Sequence, residues 1–324
     1  MGADSYGSEG WGFDSLPARY QRKRLHRTIS GSPYDPVNAY ARVAMRRTTL
    51  GFVSILLLVV ACSGQSHGRE VDIGGRSLFI DCRGSGSPTV ILESGLTSDT
   101  SDWDDVIDQI AGFTRVCAYD RANNGQSDPV GLHSGAQSVT DLEKLLEAGH
   151  IRPPYVLMAW SFGGPIARIY AAGHPDQVVG MVLVETDPVD YRREGSPFVP
   201  DDVRERSYWA SENDEKLDLD ATLDLVRQVS TPESFGDHPL VILTPSTPNS
   251  GNIGEGGSQG LPGPRVPELD ELYLRLERET QSLSSNSRFT LVDNTGHCIM
   301  CDQPQVVIDA VMDVIKAADA ESQL

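Results

Sequence analysis

The chain has 324 residues, of which 39% are hydrophobic, 23% charged and 7% aromatic, which excludes a disordered, collagen-like or small disulfide-stapled chain and suffices for one large α/β domain or two ordinary ones. Asp plus Glu number 46 against 27 Lys plus Arg, a formal net charge of −19, and so acidic a surface repels a phosphate backbone and argues against a nucleic-acid partner. Five Cys are too few for a disulfide framework.

Residues 1–44 show no apolar period and many turn formers. Their basic run, Arg19-Tyr20-Gln21-Arg22-Lys23-Arg24, reads as a solvated, disordered tail. Met45-Arg46-Arg47 then precedes an apolar run over residues 50–61. That run is shorter than the roughly 20 residues a spanning helix needs. With its basic start it has the proportions of a secretory signal peptide over 45–61. Val59-Val60-Ala61-Cys62 resembles the bacterial lipobox. The resemblance implies lipidation of Cys62, export, and anchoring to the bacterial cell membrane as a lipoprotein; a short peptide anchor or an unlipidated signal peptide is the alternative. Translation from Met45 would make residues 1–44 a wrongly assigned extension. Residues 62–70 read as a linker.

The body, residues 71–320, alternates strands and helices. Val71-Asp72-Ile73, a Gly74-Gly75 turn and strand 77–82 predict a β-hairpin. Strand 88–93 follows, then a helix over 102–110 with Trp103, Val106, Ile107 and Ile110 at helical spacing. Strand 115–119 precedes a helix marked by Val139, Leu142, Leu145 and Leu146 and closed by Gly149. Strand 155–159 runs at once into a helix over 162–172. Strands 178–184 and 240–243, a helix over 269–283, strand 288–292 and a closing helix over 306–317 complete the chain. A hairpin followed by repeated strand–helix units predicts an α/β, doubly wound, mostly parallel sheet with helices on both faces. Between about 188 and 236 the pattern weakens and charges crowd, as in Arg192-Arg193-Glu194 and over 212–215, which reads as a small helical insertion capping the site. Residues 245–264 are rich in Gly, Pro and Ser and read as a loop.

The sharpest chemical signal is Ala159-Trp160-Ser161-Phe162-Gly163-Gly164, between a strand and a helix. It is a Gly-x-Ser-x-Gly elbow with Ala at the first small position. A nucleophile in such a turn stands above the sheet, and small residues two before and two after avoid collision with it. The next backbone N–H lies at a helix N-terminus, where a developing oxyanion is stabilised.

Three further blocks complete a pattern. Thr89-Val90-Ile91-Leu92-Glu93-Ser94-Gly95-Leu96 is a strand and turn. Tyr119-Asp120-Arg121-Ala122-Asn123-Asn124-Gly125-Gln126-Ser127 is a Gly-bearing turn, and Asn294-Thr295-Gly296-His297 follows a late strand. Together with the elbow, they resemble the α/β-hydrolase superfamily over about 71–318. The resemblance implies a serine hydrolase of the esterase or lipase kind, with no metal or organic cofactor and a small-molecule ester or lactone as substrate. Ser161 would be the nucleophile, His297 its base, and the N–H groups of Phe162 and Leu96 the oxyanion hole. His133, His174 and His238 read as surface or helix-flank residues. The acid departs from the common pattern, because strand 240–243 is followed by Thr244-Pro245-Ser246 rather than a carboxylate. The alternative station, after strand 178–184, holds Glu185 and then Asp187. Glu185 leads, Asp187 is the alternative, and Glu255, Asp270 and Asp293 are further candidates. Glu93 stands where the family commonly has His, and reads as a loop tether or a functional acid. Asn123 replaces a usual Gly in a turn that needs a left-handed residue.

Cys298-Ile299-Met300-Cys301 directly follows His297. The absence of a second Cys pair argues against a zinc site; a tight disulfide or two thiols remain. Cys82 and Cys117 fall on strands that are neighbours in this fold and read as two packed thiols, with a bridge between them as the alternative. Beside the hydrolase stand two other functions: a peptidase or amidase of the same fold, and a surface-anchored binding protein that kept the fold without catalysis.

Overall fold

The computed structural model describes residues 68–201, 213–246, 248 and 266–321. The extension 1–44, the signal-like segment 45–61, Cys62 and Glu255 lie outside the described residues. The strands are β1 (Gly68–Asp72), β2 (Ser77–Arg83), β3 (Thr89–Glu93), β4 (Val116–Tyr119), β5 (His133–Ser134), β6 (Tyr155–Ser161), β7 (Val178–Thr186), β8 (Leu217–Asp218), β9 (Leu240–Pro245) and β10 (Ser287–Val292). The helices are α1 (Ile107–Ala111), α2 (Gly135–Ala148), α3 (Gly163–Gly173), α4 (Tyr191–Gly195), α5 (Leu219–Val229), α6 (Pro267–Glu279), α7 (Ile299–Asp302) and α8 (Pro304–Glu321). The first strand takes in residues 68–70, so the linker ends earlier than its composition suggests.

Eight strands form one sheet in the order β1-β2-β4-β3-β6-β7-β9-β10, while β5 and β8 pair separately. Only the contacts of β2 are antiparallel; from β4 to β10 every neighbour is parallel. Gly74 and Gly75 close the β1–β2 hairpin at φ +94° and +101°, and the Asp72 carboxylate accepts the Gly74 N–H at 2.8 Å. A side chain would strain both positions.

The period-2 alternation of the central strands separates two apolar layers. Val90 and Leu92 of β3 pack with Trp103, Ile107 and Ile110 on one face, where α8 contributes Val307, Val311 and Val314. Ile91, between them, points to the other face, where it joins Leu142 and Leu145 of α2 and Ile166 and Tyr170 of α3. Burial on both faces explains why these strands read as continuous apolar runs.

Three expectations change. The helix over 102–110 is instead a short 3-10 turn, Thr100–Trp103, followed by α1. Asp99 caps the turn and Asp102 returns the bond in a capping box, which fixes the early start, and only Ile107–Ala111 continues as α-helix. Cys82 and Cys117 are not packed thiols but a disulfide, because the β2–β4 register sets them directly opposite, with Cα atoms 4.1 Å apart. Within the insertion, α5 is not a roof. Its Leu219, Leu223 and Val226 belong to the core layer of α2 and α3.

Candidate active site

Ser161 ends β6 and Phe162 caps α3. The Ser161 φ is +53°, a conformation that costs a non-glycine residue about 1–3 kcal/mol and persists only where the surroundings impose it. Neighbouring loops do the imposing. A Cβ on Gly163 would lie 2.4 Å from the Glu93 carbonyl oxygen and 2.6 Å from that of Ser94; one on Gly164 would lie 2.5 Å from the Thr186 Cβ. The small residues after the serine are therefore required by the β3 loop and the end of β7. Gly95 passes so close that a Cβ there would stand 3.1 Å from the Ser161 Cβ.

Next to β6, strand β7 skips a residue. Trp160 pairs with Val184 and Ser161 with Thr186, leaving Glu185 out of register at φ +45°. A bulge of this kind re-aims one side chain at a strand end. The re-aimed Glu185 carboxylate is buried and forms an ion pair with Nδ1 of His297. His297 sits in the loop between β10 and α7. Its ring packs on Trp160 with centroids 5.0 Å apart, and the Trp160 indole N–H donates to the His297 carbonyl at 2.8 Å. Asp302 accepts from the Gly296 N–H at 3.0 Å, and a Cys298–Cys301 disulfide closes the turn behind the histidine. Burial pushes the His297 imidazole down, but the facing Glu185 carboxylate, with Asp187 and Asp102, outweighs burial and leaves it above its ordinary value. An imidazolium is thus stabilised here, and Glu185 occupies Nδ1, leaving Nε2 for a second partner.

Asp187 lies two residues beyond Glu185, where its N–H donates to the Ser161 carbonyl at 3.2 Å and its charge adds to that of Glu185 on His297; Asp270 is buried on α6, and Asp293 is exposed after β10. Glu93 is a buried tether: it accepts from the Tyr119 hydroxyl at 2.5 Å and from Arg121 at 2.7 Å. Burial raises Glu93, and Arg121 only partly offsets this. Asn123 takes φ +71°, the left-handed conformation its turn requires. His133, read as a surface residue, is buried beside β8, and its depressed pKa follows from that burial. Among the described residues, no group of three or more His, Cys, Asp or Glu could hold a metal ion, and no helix is long and apolar enough to cross a membrane.

Across residues 88–253, more than half of the chain, the sequence matches the alpha/beta hydrolase fold family. The chain belongs to that family. It is 26% identical over 239 residues to the uncharacterized protein YqjL of Bacillus subtilis, covering 73% of this chain and 87% of that one. It is 35% identical over 123 residues to a pimeloyl-[acyl-carrier protein] methyl ester esterase of Chromobacterium violaceum, but that match covers only 37% of this chain and 45% of the esterase. The crystal structure of the enol-lactonase from Burkholderia xenovorans LB400 shares the fold, with a TM-score of 0.54 at 16% identity over 76% of this chain and all of the lactonase.

Two parts of this α/β-hydrolase site were not legible beforehand. Glu277 of α6 is fully buried at the ends of β7 and β9, accepting from the Thr244 hydroxyl at 2.8 Å and the Thr186 hydroxyl at 3.3 Å. Burial, then the neighbouring Glu185, push its carboxyl up to about 8. In sequence it is one of several acids on an amphipathic helix, and nothing distinguishes it. Glu215 lies in the crowded charges of the insertion, where nothing in the sequence singles it out, yet it is fully buried against Arg121. The guanidinium holds it below the usual range despite burial. The Asp-Arg turn could have signalled a carboxylate partner, though not which one.

Proposed function

We propose that this α/β-hydrolase is a serine hydrolase cleaving a carboxylic ester or lactone through an acyl-enzyme on Ser161. The observation that carries the reading is the joint placement of a strained Ser161 and a bulged Glu185 at adjacent strand ends, with Glu185 paired to His297. His297 Nε2 takes the Ser161 proton as Oγ attacks the carbonyl carbon. The oxyanion accepts hydrogen bonds from the Phe162 and Leu96 N–H groups. The imidazolium, stabilised by Glu185, then protonates the departing alkoxide. Water, losing a proton to the same nitrogen, attacks the acyl-enzyme and releases the acid and the serine. The ester named for the Chromobacterium relative and the lactone named for the Burkholderia neighbour support this substrate class. Export and anchoring to the bacterial cell membrane through a lipid on Cys62 complete the proposal. Incorporation of an alkyne fatty acid, lost in Cys62→Ala, tests that part.

The decisive test is labelling with a fluorophosphonate, followed by mass-spectrometric mapping. Labelling at Ser161, abolished in Ser161→Ala and His297→Ala with ester turnover lost alongside, supports the reading. A folded protein that neither labels nor turns over any ester or lactone refutes it.

A further inference from the structure

The loop after β3 has a forced conformation. Thr97 is β-branched yet has φ +59°, an outlier for such a residue that requires an external hold. The hold comes from the insertion: the Glu215 carboxylate accepts the Thr97 N–H at 2.8 Å. The same carboxylate accepts from Nε and Nη2 of Arg121 at 2.6 and 2.9 Å. Arg121 directs its remaining bonds to Glu93 Oε1 at 2.7 Å and to the carbonyls of Ser94 at 2.5 Å and Gly95 at 2.6 Å. All five guanidinium N–H donors are thereby engaged. In a planar trans peptide the C=O and N–H point in opposite directions. Turning the Gly95 carbonyl onto Arg121 therefore aims the Leu96 N–H to the other side of that peptide. The Asn123 side-chain amide fastens the Glu215 carbonyl from below at 2.6 Å.

We propose that Glu215 is a positioning residue for turnover: through Arg121 and Thr97 it orients the Gly95–Leu96 peptide as an oxyanion donor, so the seating of the insertion sets the competence of the site. This rests on the serine-hydrolase reading. A carboxylate facing only N–H donors cannot be replaced by an amide, since one Gln atom would present donors to donors.

The experiment compares kcat and KM of wild type, Glu215→Gln and Glu215→Asp on a chromogenic ester that the wild type turns over. Glu215→Gln is expected to lower kcat about 10- to 100-fold with KM within threefold, short of the 10²–10³ for deleting an oxyanion donor outright. The acidic limb of its pH–rate profile stays in place, because Glu185 and His297 are untouched. Glu215→Asp keeps the charge and retreats by one methylene, so it folds if Glu215→Gln does not, and kcat falls at least threefold. Wild-type kcat in Glu215→Asp, or a loss carried by KM alone, overturns the proposal while leaving the hydrolase reading standing. Absence of any wild-type turnover overturns both.

Discussion

Replacing Glu185 by Gln tests the core of the proposed mechanism with the least disturbance. The substitution preserves shape, so the positive φ of +45° and the bulge that skips this residue are unaltered. It removes the charge that faces Nδ1 of His297. The amide N–H then donates to Nδ1, which moves the imidazole proton to Nε2, the nitrogen that must accept from Ser161. A wrong-tautomer change of this kind in a serine triad costs about 10⁴ in kcat, or about 5.5 kcal/mol of transition-state stabilisation. A second signature follows from electrostatics. Burial pushes His297 down and the Glu185 carboxylate more than reverses it. Without the carboxylate only the downward push and weaker neighbours remain, so the acidic limb of kcat/KM moves to lower pH even as the maximum falls. The stability sign is also fixed. A histidine raised in the folded state contributes stability that is fully present below the unfolded pKa and is lost as pH rises through the folded one. Glu185→Gln should therefore lower Tm more at pH 6 than at pH 9. Ester hydrolysis across pH 5–9, with melting at both ends, reads all three. A kcat within tenfold of wild type, or Asp187→Asn proving the more damaging change, would refute the assignment.

Other outcomes follow from the same geometry. Gly163→Ala forces a Cβ against two backbone oxygens of the β3 loop; it should cost about 1–3 kcal/mol in urea unfolding and lower kcat at least tenfold, and wild-type behaviour would mean the loop yields freely. Glu277, pushed up to about 8 by burial, penalises the native state progressively as pH rises from about 4.5 through 8. Glu277→Gln should thus gain stability over wild type with rising pH, by at most about 5 kcal/mol, and a pH-independent difference in Tm would contradict that. The disulfides differ in the loop they close: Cys82–Cys117 spans 35 residues and Cys298–Cys301 only 3. Chain entropy gives about 4 kcal/mol for the first and about 2 for the second, so paired Ser variants should lose stability in that order under non-reducing denaturation.

The fold was legible because its signals are local. Period-2 apolar runs, Gly-bearing turns and helical spacing recur along the chain, and strand–helix alternation leaves few topologies open. The elbow at Ser161 was legible for the same reason, since its small residues lie within a few positions of the serine. His297 followed from its place after a late strand. The rest depends on register and three-dimensional neighbours. Sequence could offer Glu185 and Asp187 as alternatives, but the one-residue bulge that turns Glu185 toward His297 arises from the pairing of β6 with β7. The Cys82–Cys117 bond depends in the same way on which residues of β2 and β4 stand opposite. Glu215 and Glu277 resemble any exposed acid until the chain closes around them. Local pattern is written in spacing, whereas the charge state and partner of a buried carboxylate are set by groups dozens of residues away, and only the folded chain brings those together.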